Sequence, residues 1–167
     1  MTTSTTSARR VAPWVALGGF LVATYGVAAL GGLATASHVE SWYADAAKPP
    51  LTPPNWLFGP AWTLLYGLIA VSGWLVWRHT EPDRGTAESG LRLWWLQLTL
   101  NLAWTPVFFA LEWLWAGLAV IVVLDIVVVV TILRFRRVSA PGAALLVPYL
   151  GWIVLATWLN LGVAWLN

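Results

Sequence analysis

Five apolar stretches, each about 20 residues long and separated by short polar segments, run along the 167-residue chain and predict five membrane-spanning helices at about 13–36, 56–77, 91–111, 115–133 and 143–166. The fold class expected is an all-α membrane protein, a five-transmembrane-helix bundle in one domain covering 13–167. Residues 1–12 are expected to be a disordered tail, since they are mostly small and polar with little to bury. Pro13 suits a first helical turn, and Gly18, Gly19, Ala23, Gly26, Gly31 and Gly32 let a neighbouring helix approach the first span closely. The alternative for this stretch is a signal peptide cleaved after Ala34-Thr35-Ala36. Its length favours a retained span, because the apolar core of a signal peptide is typically ~7–15 residues. Between the first two spans, prolines at 49, 50, 53 and 54 impose extended backbone, so residues 37–55 are expected to form a non-helical connection. The segment after Arg78, HTEPDRGTAESG, reads as a polar loop.

Composition agrees with a lipid environment: 59% of residues are hydrophobic and 10% charged, which would leave a soluble domain short of polar surface. Cysteine is absent, which excludes disulfides, thiolate metal sites and cysteine nucleophiles, and two histidines alone cannot cage a metal. No metal and no obligatory cofactor is therefore expected. The basic residues set the orientation. Arg9, Arg10, Arg78, Arg84, Arg92, Arg134, Arg136 and Arg137 fall on one side of the five spans and Lys48 alone on the other. By the positive-inside rule the N-terminus is cytoplasmic and the 37–55 loop faces outward, in what is expected to be a bacterial cytoplasmic membrane. The arginines are thus topology determinants and give no ground for a nucleic-acid partner.

Fourteen tryptophans sharpen the picture. Trp14, Trp77, Trp94 and Trp95 fall at cytoplasmic span ends and Trp42, Trp56, Trp113, Trp115 and Trp165 at or near outer ends, where an indole anchors at the headgroup level. Trp62, Trp104, Trp152 and Trp158 lie inside spans, where each N–H needs a protein or ligand partner.

Two helical faces gather these interior rings with polar groups. Tyr149, Trp152, Ala156 and Asn160 share one face of the fifth span, and Gln97, Asn101, Trp104 and Phe108 one face of the third, where Pro106 frees the Leu102 carbonyl. Two such stripes are expected to face each other, joined by interhelical hydrogen bonds, around a ligand, or both. Asp125, mid-way along the fourth span, is expected to be neutral, paired or turned to a polar cavity. The span interiors hold no histidine and one carboxylate, so they offer no conventional acid–base or nucleophilic constellation. His38 is a lone histidine in the first loop.

The chain resembles the TspO/MBR family of translocator and tryptophan-rich sensory proteins. The resemblance runs from Trp42 to the C-terminus. It is carried by KPPLTPPNWLFGPAWTLLYG from Lys48, QLTLNLAWTPVFF from Gln97, RRVSAPGAALLVPYLGW from Arg136 and ATWLN from Ala156. It implies a five-helix membrane protein, commonly a homodimer, that binds porphyrins in a pocket within the bundle beneath the first loop. It also implies that Trp56 and Trp152 resemble an indole pair concerned in light-dependent porphyrin breakdown. Gln97, Asn101, Trp104, Ala156 and Asn160 resemble further pocket residues, with Phe108 and Tyr149 on the same faces. Lys48 stands where it could meet a porphyrin propionate. The function expected is tetrapyrrole binding and sensing, with porphyrin as ligand and the bilayer as surroundings. The alternative is a transporter of porphyrins, sterols or other hydrophobic small molecules.

Overall fold

The structure, a computed structural model, describes residues 12–39 (without the side chains of 36, 37 and 39), 41–79 and 83–167. The expected tail at 1–12 lies outside them except for Ala12. Among the described residues the chain forms helices only: α1 (Pro13–Val39), α2 (Trp42–Asp45), α3 (Asn55–Arg78), α4 (Arg84–Phe109), α5 (Leu114–Val138), α6 (Ala140–Ala144) and α7 (Val147–Leu166). Among the described residues four stretches are long and apolar enough to cross a membrane: Pro13–Thr35, Asn55–Arg78, Leu114–Val138 and Ala140–Leu166.

The expected spans and the 37–55 loop differ from the structure in three places. The third span, α4, is 26 residues long but falls short in apolarity, because Arg92, Gln97, Thr99 and Asn101 interrupt it. It also starts seven residues before the expected 91: Asp83 accepts a hydrogen bond from the Thr86 amide at 3.0 Å, capping the helix inside what reads as a polar loop. The last span is broken at Leu145–Leu146, where Pro148 lacks the N–H that would continue the ladder and its ring would collide with the carbonyl four residues back. Residues 37–55 are likewise only partly irregular. Helix α1 runs on through His38, which is therefore helical, and α2 precedes an irregular proline strap at 46–54 that turns at Pro50–Leu51, with Leu51 at φ 69°.

The long helices pack in a ring in which α1 touches α3 and α4, α4 touches α5, α5 touches α7, and α7 closes more sparsely on α3. Tight crossings fall where glycine removes a side chain. A Cβ on Gly73 would lie 2.8 Å from the Trp94 ring, and one on Gly90 3.0 Å from Phe135. Trp94 is fully buried and donates its indole N–H to the Ile69 carbonyl at 3.0 Å. It is therefore a core residue and no interfacial anchor, whereas Trp14, Trp56, Trp113, Trp115 and Trp165 are all more than half exposed. The core spans α3, α4, α5 and α7. Helix α1 lies largely outside it, with 11% of its apolar span buried against 33–39% for the other three.

Candidate ligand site

The two polar–aromatic stripes meet. Tyr66 Oη donates to Asn101 Oδ1 at 2.6 Å, Asn101 Nδ2 donates to Tyr149 Oη at 3.1 Å, and Trp104 Nε1 donates to Asn160 Oδ1 at 3.1 Å. Asn160 Nδ2 in turn donates to the Leu114 carbonyl at 2.8 Å, tying α7 to the start of α5. Asn101, Tyr149 and Asn160 are buried, so these bonds lie out of reach of water, where each unmade partner would be costly. The polar atoms of the stripes are thus largely engaged with one another across the α3, α4, α5 and α7 interior. Gln97 is the exception: it is fully buried and neither amide atom has a partner among the described residues.

Asp125 lies at the α5–α7 seam, half-buried, with Oδ2 accepting from Thr157 Oγ1 at 2.7 Å and Oδ1 buried and unpartnered. The pairing answers the cost of a carboxyl group at that depth.

A cavity of about 340 Å³ opens along one edge of the α4 stripe, between α1, α2, α3 and α4. Its floor is Asn101, Trp104 and Phe109 from α4, and one wall is Phe58, Trp62 and Tyr66 from α3. The latter three stand at i, i+4 and i+8, one helical face, and make a third aromatic stripe in the sequence. Glycines 31 and 32 with Tyr25 form the α1 wall, and Tyr43 of α2 the roof. A larger groove of about 440 Å³ beside Pro49, Trp158 and Trp165 is lined by apolar residues alone. The smaller cavity is the better site, since ligand pockets combine an apolar wall with a few converging polar groups, here Tyr66, Asn101 and Thr105.

Of the residues singled out in the sequence, Asn101 and Trp104 line this cavity. Trp152 stands directly behind its wall, with its ring centroid 6.3 Å from that of Trp62 and 5.7 Å from that of Phe58. Tyr149 is 6.3 Å from Trp62 in the same manner, and Phe108 stacks on Trp104 at 5.5 Å with 17° between planes. Gln97, Ala156 and Asn160 are buried in the bundle and do not reach the cavity. Trp56 is 71% exposed at the start of α3 and lines no part of it. Lys48 is directed elsewhere: its Nζ donates to the Ala44 carbonyl at 2.9 Å and lies 4.9 Å from the Tyr43 ring centroid, closing the end of α2. Burial pushes the Tyr43 phenol above its ordinary pKa. Among the described residues no group of three or more His, Cys, Asp or Glu is placed to hold a metal.

Residues 20–166 match the model of the TspO/MBR family. The chain is 41% identical over 147 residues to the tryptophan-rich protein TspO of Archaeoglobus fulgidus, covering 88% of this chain and 94% of that one. To the translocator protein of Homo sapiens it is 33% identical over 148 residues, covering 89% and 88%. To the tryptophan-rich sensory protein of Cereibacter sphaeroides it is 35% identical over 128 residues, covering 77% and 78%. With four helices able to span a bilayer and this match over most of its length, the chain is an integral membrane protein and belongs to the TspO/MBR family.

Proposed function

We propose that the protein binds flat aromatic macrocycles of the tetrapyrrole class within the membrane, in the cavity between α1, α2, α3 and α4. The observation that carries this reading is the cavity wall itself: Phe58, Trp62 and Tyr66 on one side and Trp104 and Phe109 on the floor, with the Tyr66–Asn101 pair as its polar edge. Indole and phenol faces attract a planar π-system by offset stacking, while one or two hydrogen bonds fix its rotation. At about 340 Å³ the cavity is at the lower end for a ligand pocket, so a macrocycle occupies it edge first, with the rest of the ring projecting beyond the wall. Five spans, with α4 as the third, the N-terminus cytoplasmic and the proline strap outward, belong to the same reading and rest on the arginine distribution. Homodimerisation rests on the family resemblance.

Titrating protoporphyrin against tryptophan fluorescence tests the proposal. Saturable quenching is expected, with affinity about tenfold weaker in Trp62→Ala, in line with ~1–1.5 kcal/mol for one aromatic contact. Wild-type protein that shows no quenching would sink it.

Light-dependent porphyrin breakdown is a second reading, favoured by the 6.3 Å contact between Trp62 and Trp152. In it Trp62 touches the ligand and Trp152 is the second indole, with Trp56 outside the wall as an anchor. Loss of the porphyrin absorption band under illumination should slow in Trp152→Phe and stay unchanged in Trp56→Phe. An unchanged rate in Trp152→Phe removes the indole's role.

A further inference from the structure

The loop whose α2 roofs the cavity is fastened at both ends. Trp42 Nε1 donates to the Phe109 carbonyl at 2.7 Å, holding α2 onto the end of α4. The strap is clasped to α7: Ala47 N donates to Asn167 Oδ1 and Asn167 Nδ2 donates back to the Ala47 carbonyl, both at 3.1 Å. Trp158 Nε1 donates to the Pro50 carbonyl at 3.0 Å. Buried Pro49 sits so close to Gly162 that a Cβ there would lie 2.3 Å from the proline ring.

The side between α1 and α3 is built in the opposite way. Gly32, Gly59 and Thr63 line the cavity and are themselves exposed, and Tyr25 is 40% exposed. A Cβ on Gly32 or Gly59 would meet nothing within 4 Å, so the gap there is not filled by a neighbour. Across it runs one hydrogen bond, from Tyr25 Oη to the Thr63 carbonyl at 3.0 Å, while a second tie, Trp74 Nε1 to the Pro13 carbonyl at 2.7 Å, lies at the far end of α1. Thr63 is eight residues into α3, about 12 Å along its axis, well within a hydrocarbon core of ~30 Å.

We propose that ligands reach this cavity sideways from the bilayer, through a mouth between α1 and α3 edged by Gly32, Gly59 and Thr63, with Tyr25 as its latch. The ligand class is thereby narrowed to flat aromatic molecules already dissolved in the membrane. This rests on the proposed function for the choice of probe. Physically, an apolar ring system entering here exchanges lipid contacts for indole contacts and never crosses the clasped, partly polar strap. Helix α1, the least buried of the candidate spans, is the wall able to yield.

The test uses the full chain in phosphatidylcholine vesicles, with protoporphyrin supplied in the lipid and quenching followed by stopped flow. Gly32→Trp combined with Gly59→Leu is expected to slow association at least tenfold. Tyr25→Phe is expected to speed association and dissociation together several-fold, with Kd changed less than twofold. Asn167→Ala combined with Trp158→Phe, which loosens the clasp, should leave both rates within twofold of wild type. Faster association on loosening the clasp, with no effect at the mouth, would overturn the route.

A separate arm needs no porphyrin binding. A phospholipid carrying a diazirine on its acyl chain should photolabel the α4 floor around Trp104 and Thr105 in wild type and lose that label in the Gly32→Trp, Gly59→Leu protein. Labelling confined to the outward positions Leu30 and Leu33 would also overturn it. Absent quenching beside a labelled floor rejects the tetrapyrrole reading and keeps the mouth.

Discussion

Where α4 crosses α3 and α5, Trp94 is fully buried, with Phe20 of α1 edge-on against it, and the Gly73 and Gly90 crossings leave no room for one added carbon. Where α1 runs beside α3, four of its five glycines meet nothing within 4 Å of an added Cβ, and Trp14, Val22 and Leu33 are at least three-quarters exposed. Both regions are apolar and glycine-rich in sequence. The difference lies in what faces the glycines: an aromatic ring that fills the space in the first region, lipid or cavity in the second. In a membrane, apolarity does not drive helices together, since the lipid tails are as apolar as leucine; close packing and buried hydrogen bonds do. The α4-centred region has both. Helix α1 has two hydrogen-bonded ties to α3 and is held closely only at points, with Phe20 against Gly73 and Trp94, Tyr25 against Gly67 and Gly31 on Thr105, so the cavity opens beside the stretch between them.

This contrast is broken most directly at Trp94. Replacing it with alanine should lower stability on the order of 3 kcal/mol, from the lost contacts and the cavity left, and Trp14→Ala should change it by less than 0.5 kcal/mol. Thermal unfolding in detergent compares the two. Equal effects would erase the distinction between a packed and a loose half.

Next in size is Asn160→Leu, which strands the Trp104 indole N–H and frees the Leu114 carbonyl. A loss of about 1–2 kcal/mol is expected, with the absorption or emission of Trp104 shifted in a single-tryptophan background. Glycine pairs sharpen the comparison further. Gly162→Ala must displace Pro49 from the α7 clasp and should destabilise by ~1 kcal/mol or more, whereas Gly32→Ala should be neutral or slightly stabilising, through the better helix propensity of alanine.

The smallest effect belongs to the Asp83 cap at the water-exposed start of α4. The hydrogen bonds from Thr86 hold its carboxyl below the usual carboxylate range. Its folded pKa is depressed, so the capping contribution is fully present above the ordinary aspartate pKa and is lost as pH falls through the lowered one. Amide exchange at Thr86 and Ala87 should accelerate there, below about pH 4, while the interior of α4 stays protected.

Much of the candidate site was legible in the chain. The spacing of Gln97, Asn101, Trp104 and Phe108, and of Tyr149, Trp152, Ala156 and Asn160, placed two faces that do meet, through Asn101–Tyr149 and Trp104–Asn160. The exposure of Trp56 and the turning of Lys48 back onto α2 were not legible. Whether an aromatic residue near a span end points to the headgroups or into the bundle depends on the neighbouring helix, and no periodicity within its own helix records that. For the same reason Trp94, beside Trp95 at what reads as a span end, becomes the largest fully buried side chain among the described residues while Trp95 stays half exposed. The Phe58, Trp62 and Tyr66 stripe was available by counting in fours; its role emerged only once Trp152 stood behind it.

The sequence by itself determined a helical membrane protein of the TspO/MBR family, because hydrogen bonding in lipid leaves an apolar stretch of this length little choice but a helix. Local signals such as Asp83 and Pro148 determined where α4 begins and where the last span breaks. Tertiary structure alone decided that the polar stripes are largely consumed between α3, α4, α5 and α7, and that the cavity opens along the edge of the α4 stripe, where Asn101 and Trp104 are shared by both. It also decided that the cavity is roofed by the fastened α2 and open toward α1. These are outcomes of which surfaces come into contact, set by shape complementarity across helices far apart in the chain.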